Sequence, residues 1–287
     1  MLKEEDHKGP SSNVFSQHQM PGTDKPHTQE QREVADNLKK VKRIVGIHSG
    51  KGGVGKTFIA INIAFTLASA GKKVGLLDAD IDCPNVARFL NLADTPLNGT
   101  PEGRIFPIEY CGVKLVSTHF LTDSPLEPMI VRGPIKHKVL TELLSRVEWG
   151  ELDILICDLP PGTSDVPMST MLIGGLSGII IVTTPQKEAI MDARKSALMA
   201  KELSIPVFGV VENMSGDIFG SGAGQKLAQE LGKPFLGTIP LAKEIRELNE
   251  KGKIAFLQYV QPQLLKATLG EQPLIIERSL WQRLRGS

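Results

Sequence analysis

The sequence is poor in cysteine and in net charge, and it has no long apolar run. Three cysteines, Cys83, Cys111 and Cys157, are scattered along 287 residues, which excludes a disulfide framework. A reducing, cytoplasmic setting follows as an expectation. Lysine and arginine total 33 against 32 aspartates and glutamates, for a formal charge of +1. That balance gives no whole-chain case for a nucleic-acid partner or a membrane surface. No apolar run approaches the roughly 18 residues needed to span a bilayer. Met1 to Pro10 is polar and lacks the apolar core of a signal peptide. The chain is long enough to bury a substantial core as one large α/β domain.

The most specific pattern present is Gly50-Lys51-Gly52-Gly53-Val54-Gly55-Lys56-Thr57. It fits the phosphate-loop form G-x-x-x-x-G-K-[ST]. Such a loop turns successive backbone N–H groups toward a phosphate chain at the positive end of a helix dipole. Lys56 is expected to reach the β- and γ-phosphates of ATP, and the Thr57 hydroxyl to ligate Mg²⁺. The context agrees: an apolar run, Ile44 to Ile47, precedes the loop as a buried strand, and Phe58 to Ala70 follows as a helix.

Three regions are expected. Residues 1–40 are polar, with Pro10, Pro21 and Pro26, and read as a flexible arm with a short helical pattern near Glu30 to Lys40. His7, His18 and His27 lie there at irregular spacing with no cysteine nearby, and read as solvated rather than metal-binding. From 41 to 260 strands and helices alternate. Candidate strands are Ile44–His48, Val74–Asp78, Val113–Ser117, Ile154–Asp158, Gly178–Thr183, Val207–Val211 and Phe235–Thr238, with helices including Glu188–Leu203 and Gln225–Leu231. This alternation predicts a doubly wound α/β fold, a mainly parallel sheet with helices on both faces. Residues 261–287 read as a C-terminal helical tail. Leu280, Trp281 and Leu284 share a face there, flanked by Arg278, Arg283 and Arg285. Two turns of helix favour docking on the body or a partner over membrane attachment.

Ligands on such a sheet bind beyond the carboxyl ends of the strands, and the remaining motifs follow strands. Asp78, Asp80 and Asp82 alternate, so an extended chain would send all three to one side. A cluster of like charges calls for a cation, which Mg²⁺ and an attacking water would accompany. Asp158 ends an apolar strand, the Walker B arrangement, and would hold the Mg²⁺ shell. In Pro161-Gly162-Thr163 the Gly162 N–H is placed to sense a γ-phosphate.

These motifs together resemble the Mrp-type ATPases, within the Mrp, MinD, ParA and nitrogenase-iron-protein group of deviant Walker A P-loop ATPases. The resemblance runs from about Lys42 to Gly252 through GKGGVGKT, DADIDCPN, DLPPGTSDV, VTTPQ, VENMS and GTIPL. It implies a homodimer in which Lys51 crosses to the partner's nucleotide and neutralises charge developing on the phosphates. It implies that Asp78, Asp80 and Asp82 share the water-activating and metal-side roles, with Asp80 also near the metal and the division among the three left open. It implies that the Asn213 amide reads the adenine edge, with Ile239 to Leu241, Pro240 included, beside the base. The implied activity is slow ATP hydrolysis in iron–sulfur cluster assembly or metallocluster maturation, with a cluster-bearing partner. The alternative is a MinD- or ParA-like positioning ATPase acting on a membrane, nucleoid or protein cargo. Two positions depart from the family. Cys83 stands where glycine is usual. The Cys-x-x-Cys that follows Asn-Met-Ser in many carriers is missing, so the family's bridging iron–sulfur cluster is not expected on this chain alone.

Overall fold

The computed structural model describes residues 28–121, 133–250 and 262–270. Its strands are β1 (Ile44–His48), β2 (Val74–Asp78), β3 (Asn98–Gly99), β4 (Ile105–Phe106), β5 (Ile108–Tyr110), β6 (Val113–Ser117), β7 (Ile154–Asp158), β8 (Gly178–Thr183), β9 (Val207–Ser215) and β10 (Phe235–Pro240). Its helices are α1 (Gln29–Leu38), α2 (Lys56–Ser69), α3 (Val86–Phe89), α4 (Gly133–Arg146), α5 (Asp165–Ile173), α6 (Lys187–Glu202), α7 (Ala223–Glu230), α8 (Lys243–Glu250) and α9 (Pro262–Leu269).

Eight strands form one sheet in the order β10-β9-β8-β1-β7-β2-β6-β5. All its pairings are parallel except that of β5 with β6 at the edge. Every residue of β1, β2, β7 and β8 is buried. Burial on both faces explains why these strands read as unbroken apolar runs rather than alternating ones. Side chains then sort by parity. Val45 and Ile47 of β1 enter the core cluster under α2, and Ile44 enters the opposite cluster with residues of α1, α4, α5 and α6. Helix α2 is buried from Phe58 through Leu67, as a helix apolar on all sides must be. The chain leaves β1 in one direction toward β2 and β6 and later returns on its other side through β8 to β10. β1 is thus the point where the winding reverses, and the crevice above it is where ligands bind in such sheets.

Five expected strands match end for end, while β9 and β10 run further, to Ser215 and Pro240. The expected arm is corrected at its inner end. α1 opens with a capping box between Thr28 and Gln31 and buries Val34 and Leu38. Asn37 Nδ2 donates to the carbonyls of Leu144 and Val147 at 2.8 and 2.9 Å, tying α1 to α4. The helical pattern expected near Glu30 to Lys40 is this helix; only its packing was hidden, because just two of its ten residues are buried. Past residue 260, α9 buries Leu264, Leu265 and Leu269 in the α2-side core. Residues 1–27, with His7, His18 and His27, and residues 271–287, with the Leu280–Trp281–Leu284 face, lie outside the described residues.

Leu38→Ala tests α1 as part of the core. It should cost about 2–4 kcal/mol, the usual loss for a buried leucine, in urea unfolding. A change under about 0.5 kcal/mol, the size of a surface substitution, would return α1 to the arm.

Candidate active site

The phosphate loop leaves β1 and enters α2 through Gly55, the helix N-cap, at φ 86°. Gly53 is also left-handed, at φ 79°. A side chain at Gly55 would be strained by its backbone, and its Cβ would lie 2.2 Å from Asn213 Nδ2. At the loop's start, a Cβ on Gly50 would meet the Asp192 carbonyl at 2.2 Å, so the loop lies directly against α6. Gly52 and Gly53 face open space. The loop is thus open at Gly52 and Gly53, and the hollow there lies at the N-terminal end of α2, where a helix dipole favours anions.

The charge at this hollow is ordered by Lys56 and Asp158. Lys56 is buried, with Nζ 2.7 Å from Asp158 Oδ1 and 3.8 Å from Asp80 Oδ2. Thr57 Oγ1 donates to Asp158 Oδ2 at 2.6 Å. Asp158 thus has an ammonium on one oxygen and a hydroxyl on the other. Hard oxygen donors from Thr57, Asp158 and Asp80 suit Mg²⁺, which usually takes only one or two carboxylates and completes its shell with phosphate oxygens and water. The ammonium among these carboxylates marks a place that needs positive charge.

Asp78, Asp80 and Asp82 do not share one side. β2 ends at Asp78 and the chain bends, so the period-two expectation is corrected. Asp78 is fully buried: it accepts the Val86 N–H at 3.0 Å and the Ser117 hydroxyl at 3.0 Å through Oδ2, and the Asp80 N–H at 3.3 Å through Oδ1. It pins α3 and β6 to the end of β2. Burial, and then the charge of Asp158, push its carboxyl up to about 7. Asp80 is the one that faces Lys56; burial raises its pKa, and Lys56 opposes that rise. Asp82 is exposed and ion-pairs with Lys136 of α4.

On the opposite wall, the Gly162 N–H donates to the Ser49 carbonyl at 2.9 Å, with Gly162 at φ 91°. The group expected to sense a phosphate is latched to the base of the loop. Lys51 Nζ reaches the Gln186 side-chain oxygen, 3.4 Å away at the start of α6. Beneath both lies His48, fully buried at the end of β1. Burial, and then Lys56, push its imidazole down to about 3, so it is neutral. His48, Ser49 and Gln186 carried no signal of their own in the sequence; only their places beside the loop and after a strand could have found them.

At the base side, Asn213 Nδ2 donates to the Val54 carbonyl at 2.8 Å. One of the two amide hydrogens is thus committed to the phosphate loop, which leaves the second hydrogen and the side-chain oxygen. Ile239 belongs to the buried core rather than the hollow, whereas Pro240 and Leu241 are exposed, and the Leu241 N–H bonds the Ser215 carbonyl at 2.9 Å. Glu212, next to Asn213, is fully buried and accepts from Ser215 Oγ, the Gly222 N–H and the Gly224 N–H at 2.8, 2.9 and 2.6 Å. Cys157 is a core thiol pushed up to about 12 by burial, and Cys83 and Cys111 are exposed. Among the described residues no helix is long and apolar enough to cross a membrane.

A parallel α/β sheet with a glycine loop, a loop lysine and a strand-end aspartate defines a P-loop ATPase of the MinD and ParA kind. A family model described as NUBPL iron-transfer P-loop NTPase matches residues 40–270, and the chain belongs to that family. The iron–sulfur cluster carrier protein of Methanocaldococcus jannaschii is 44% identical over 249 residues, covering 83% of this chain and 86% of its own. A nucleotide-binding protein of Archaeoglobus fulgidus, solved in complex with ADP, has a TM-score of 0.69 at 31% identity, covering 79% of this chain and 93% of its own. The cell-division ATPase MinD of Pyrococcus furiosus has a TM-score of 0.60 at 23% identity over 85% of this chain and 100% of its own, a likeness of fold.

Asp78 gives the apo protein a pH signature. Its folded pKa lies above the unfolded value, so the native state holds a proton that the unfolded chain has lost between about pH 4 and 7. Its contribution is complete at acid pH and is lost as pH rises through about 7. Nucleotide-free protein should therefore lose stability from about pH 5 to 7 more steeply than Asp78→Asn, by at most about 1.4 kcal/mol per pH unit. Equal slopes in calorimetric melts of the two proteins would show Asp78 ionised throughout.

Proposed function

We propose that this chain is an ATP-hydrolysing homodimer acting in iron–sulfur cluster carriage or metallocluster maturation, in a reducing compartment. The observation that carries the ATPase reading is the buried Lys56 ammonium held between Asp158 and Asp80 at the mouth of the loop. Gly50, Lys51, Gly52, Gly53, Val54 and Gly55 would wrap the phosphates with their N–H groups. Lys56 would leave the carboxylates for the β- and γ-phosphates. Thr57 and Asp158, with Asp80 beside them, would then face Mg²⁺. The chemistry such an ion would supply is neutralisation of negative charge on the phosphates. Of the Asp78, Asp80 and Asp82 carboxylates, Asp80 is the proposed water-positioning group. Its partners are the Cys83 N–H and Lys56, while Asp78 is committed to backbone and Ser117. Asp82 would act at the rim. Asn213 and Pro240 would border the base.

Lys51 is proposed to work in trans. Gln186 is a neutral partner at the hydrogen-bond limit, so little holds Lys51 back from a second copy's phosphates. Hydrolysis would be slow until the two copies meet.

The cargo reading rests on family membership and on the carrier relatives. The chain has no Cys-x-x-Cys. A cluster would therefore reach it as cargo, with a partner protein supplying thiolates.

Lys56→Ala should weaken ATP binding by about 100-fold, the loss of charged hydrogen bonds, in calorimetry; unchanged affinity would end the loop assignment. Lys51→Ala should bind ATP normally and lose hydrolysis by about a thousandfold, the scale of a charge supplied across an interface. Full turnover by that variant would remove the trans role. Anaerobic reconstitution with iron and sulfide should leave the chain without a stoichiometric four-iron chromophore. Such a chromophore, lost on replacing Cys83, Cys111 or Cys157, would overturn the cargo reading.

A further inference from the structure

Met214 sits where a strand breaks its alternation. On β9, Val211 enters the core cluster under α2, while Val210 enters the opposite cluster and Glu212 meets Gly224 of α7. Regular alternation would send Met214 after Glu212, toward α7. Its backbone departs from that course and is left-handed, at φ 55°. From Glu212, paired with Thr238, to Ser215, paired with Pro240, β9 advances three residues while β10 advances two. The extra residue is a bulge, a device that re-aims side chains beside active sites. Here it turns Met214 toward the start of α2. A Cβ on Gly55 would lie 3.7 Å from Met214 Cε and 2.2 Å from Asn213 Nδ2. Both side chains therefore flank the same point of the phosphate loop. A left-handed backbone is costly for a residue other than glycine, and such strain gathers at functional sites.

The bulge delivers a half-buried thioether between two neighbours, Asn213 and Ser215, that are each only 4% exposed. A thioether is soft and apolar, so it suits neither phosphate nor Mg²⁺. It suits the face of an aromatic ring, against which its polarisable sulfur is attracted. Beside it, Asn213 keeps one amide hydrogen and its oxygen after bonding the Val54 carbonyl. Those two atoms are a donor and an acceptor for a ring edge. We propose that Met214 is a further nucleotide-binding residue, whose thioether packs on the face of the base while Asn213 meets its edge. Face and edge are then read by consecutive residues, which an unbroken strand would point to opposite sides. This inference deepens the ATPase reading, and rests on it and on Asn213 bordering the base.

Two measurements test it. In wild-type protein labelled with methyl-¹³C methionine, the Met214 methyl signal is assigned by its loss in Met214→Leu. It should move upfield with MgATP and with MgADP, through the ring current of the base. It should stay in place with Mg²⁺ and inorganic tripolyphosphate, which carries no ring. A signal that moves equally with tripolyphosphate, or with neither nucleotide, overturns the proposal, and this reading needs only the wild-type fold. The second measurement is calorimetry with the same probes. Met214→Ala should lose about three- to tenfold in affinity for MgATP, the worth of a sulfur–ring contact, and bind tripolyphosphate within about twofold of wild type. Met214→Leu, apolar and of similar bulk, should keep most of the MgATP affinity. Equal losses on both probes would make Met214 a brace of the loop, and undiminished MgATP affinity would leave it no part in binding; either result overturns the proposal. Lys56→Ala run in parallel separates the two layers. If it binds MgATP as wild type does, the ATPase reading fails. If it loses both probes while Met214→Ala behaves as wild type, only the role of Met214 falls.

Discussion

Lys56 is an ammonium buried at the end of a parallel sheet, and the arrangement around it depends on Asp158 being there to receive it. An unpaired charge at that depth would be costly enough to neutralise itself or unfold its surroundings. The pairing at 2.7 Å lets β7 end in a carboxylate directly beside the Asp78 carboxylate, its register partner on β2. Two adjacent strand ends then carry like charges. The tension is relieved on one side by Lys56 and Thr57, and on the other by raising Asp78 until it holds its proton near neutrality. In the proposed reaction, cations and phosphates entering the hollow would trade places with groups that already balance it.

The same economy explains which glycines cannot change. The loop is confined on two flanks, by Asn213 at Gly55 and by the α6 backbone at Gly50. Asn213 therefore serves the loop as a brace through Val54 before it can serve a base. A residue adjacent to a ligand in sequence logic is here first a residue adjacent to the protein's own backbone.

The sheet was legible because strands buried on both faces leave continuous apolar runs, and five were bounded correctly from those runs alone. Gly50 to Thr57 and Asp158 were legible because phosphate chemistry demands particular residues at fixed spacing. Asp78, Asp80 and Asp82 were legible as a group but not as individuals. Their sorting depends on where β2 stops and on the donors that Val86, Ser117 and Lys136 bring from α3, β6 and α4. α1 was legible as a short helical pattern, but its packing against α4 was not, because a helix that buries two residues of ten looks solvated. His48 escaped because a histidine in an apolar strand has no pattern to announce it.

Strand β9 joins the two ends of this chemistry. Asn213 and Glu212 are neighbours in sequence, and adjacent side chains of a strand point to opposite faces. One braces the phosphate loop. The other gathers Ser215, Gly222 and Gly224 into the turn beyond the strand, which closes on itself through paired bonds between Gly216 and Gly220. That turn occupies the place where the resemblance would set a pair of cysteines, and its tip exposes Ile218 and Phe219 instead. The carboxylate holds it with three acceptor contacts and no metal ligand of the thiolate class. Strand β9 thus carries the phosphate-loop contact through one residue and the closed turn through the next.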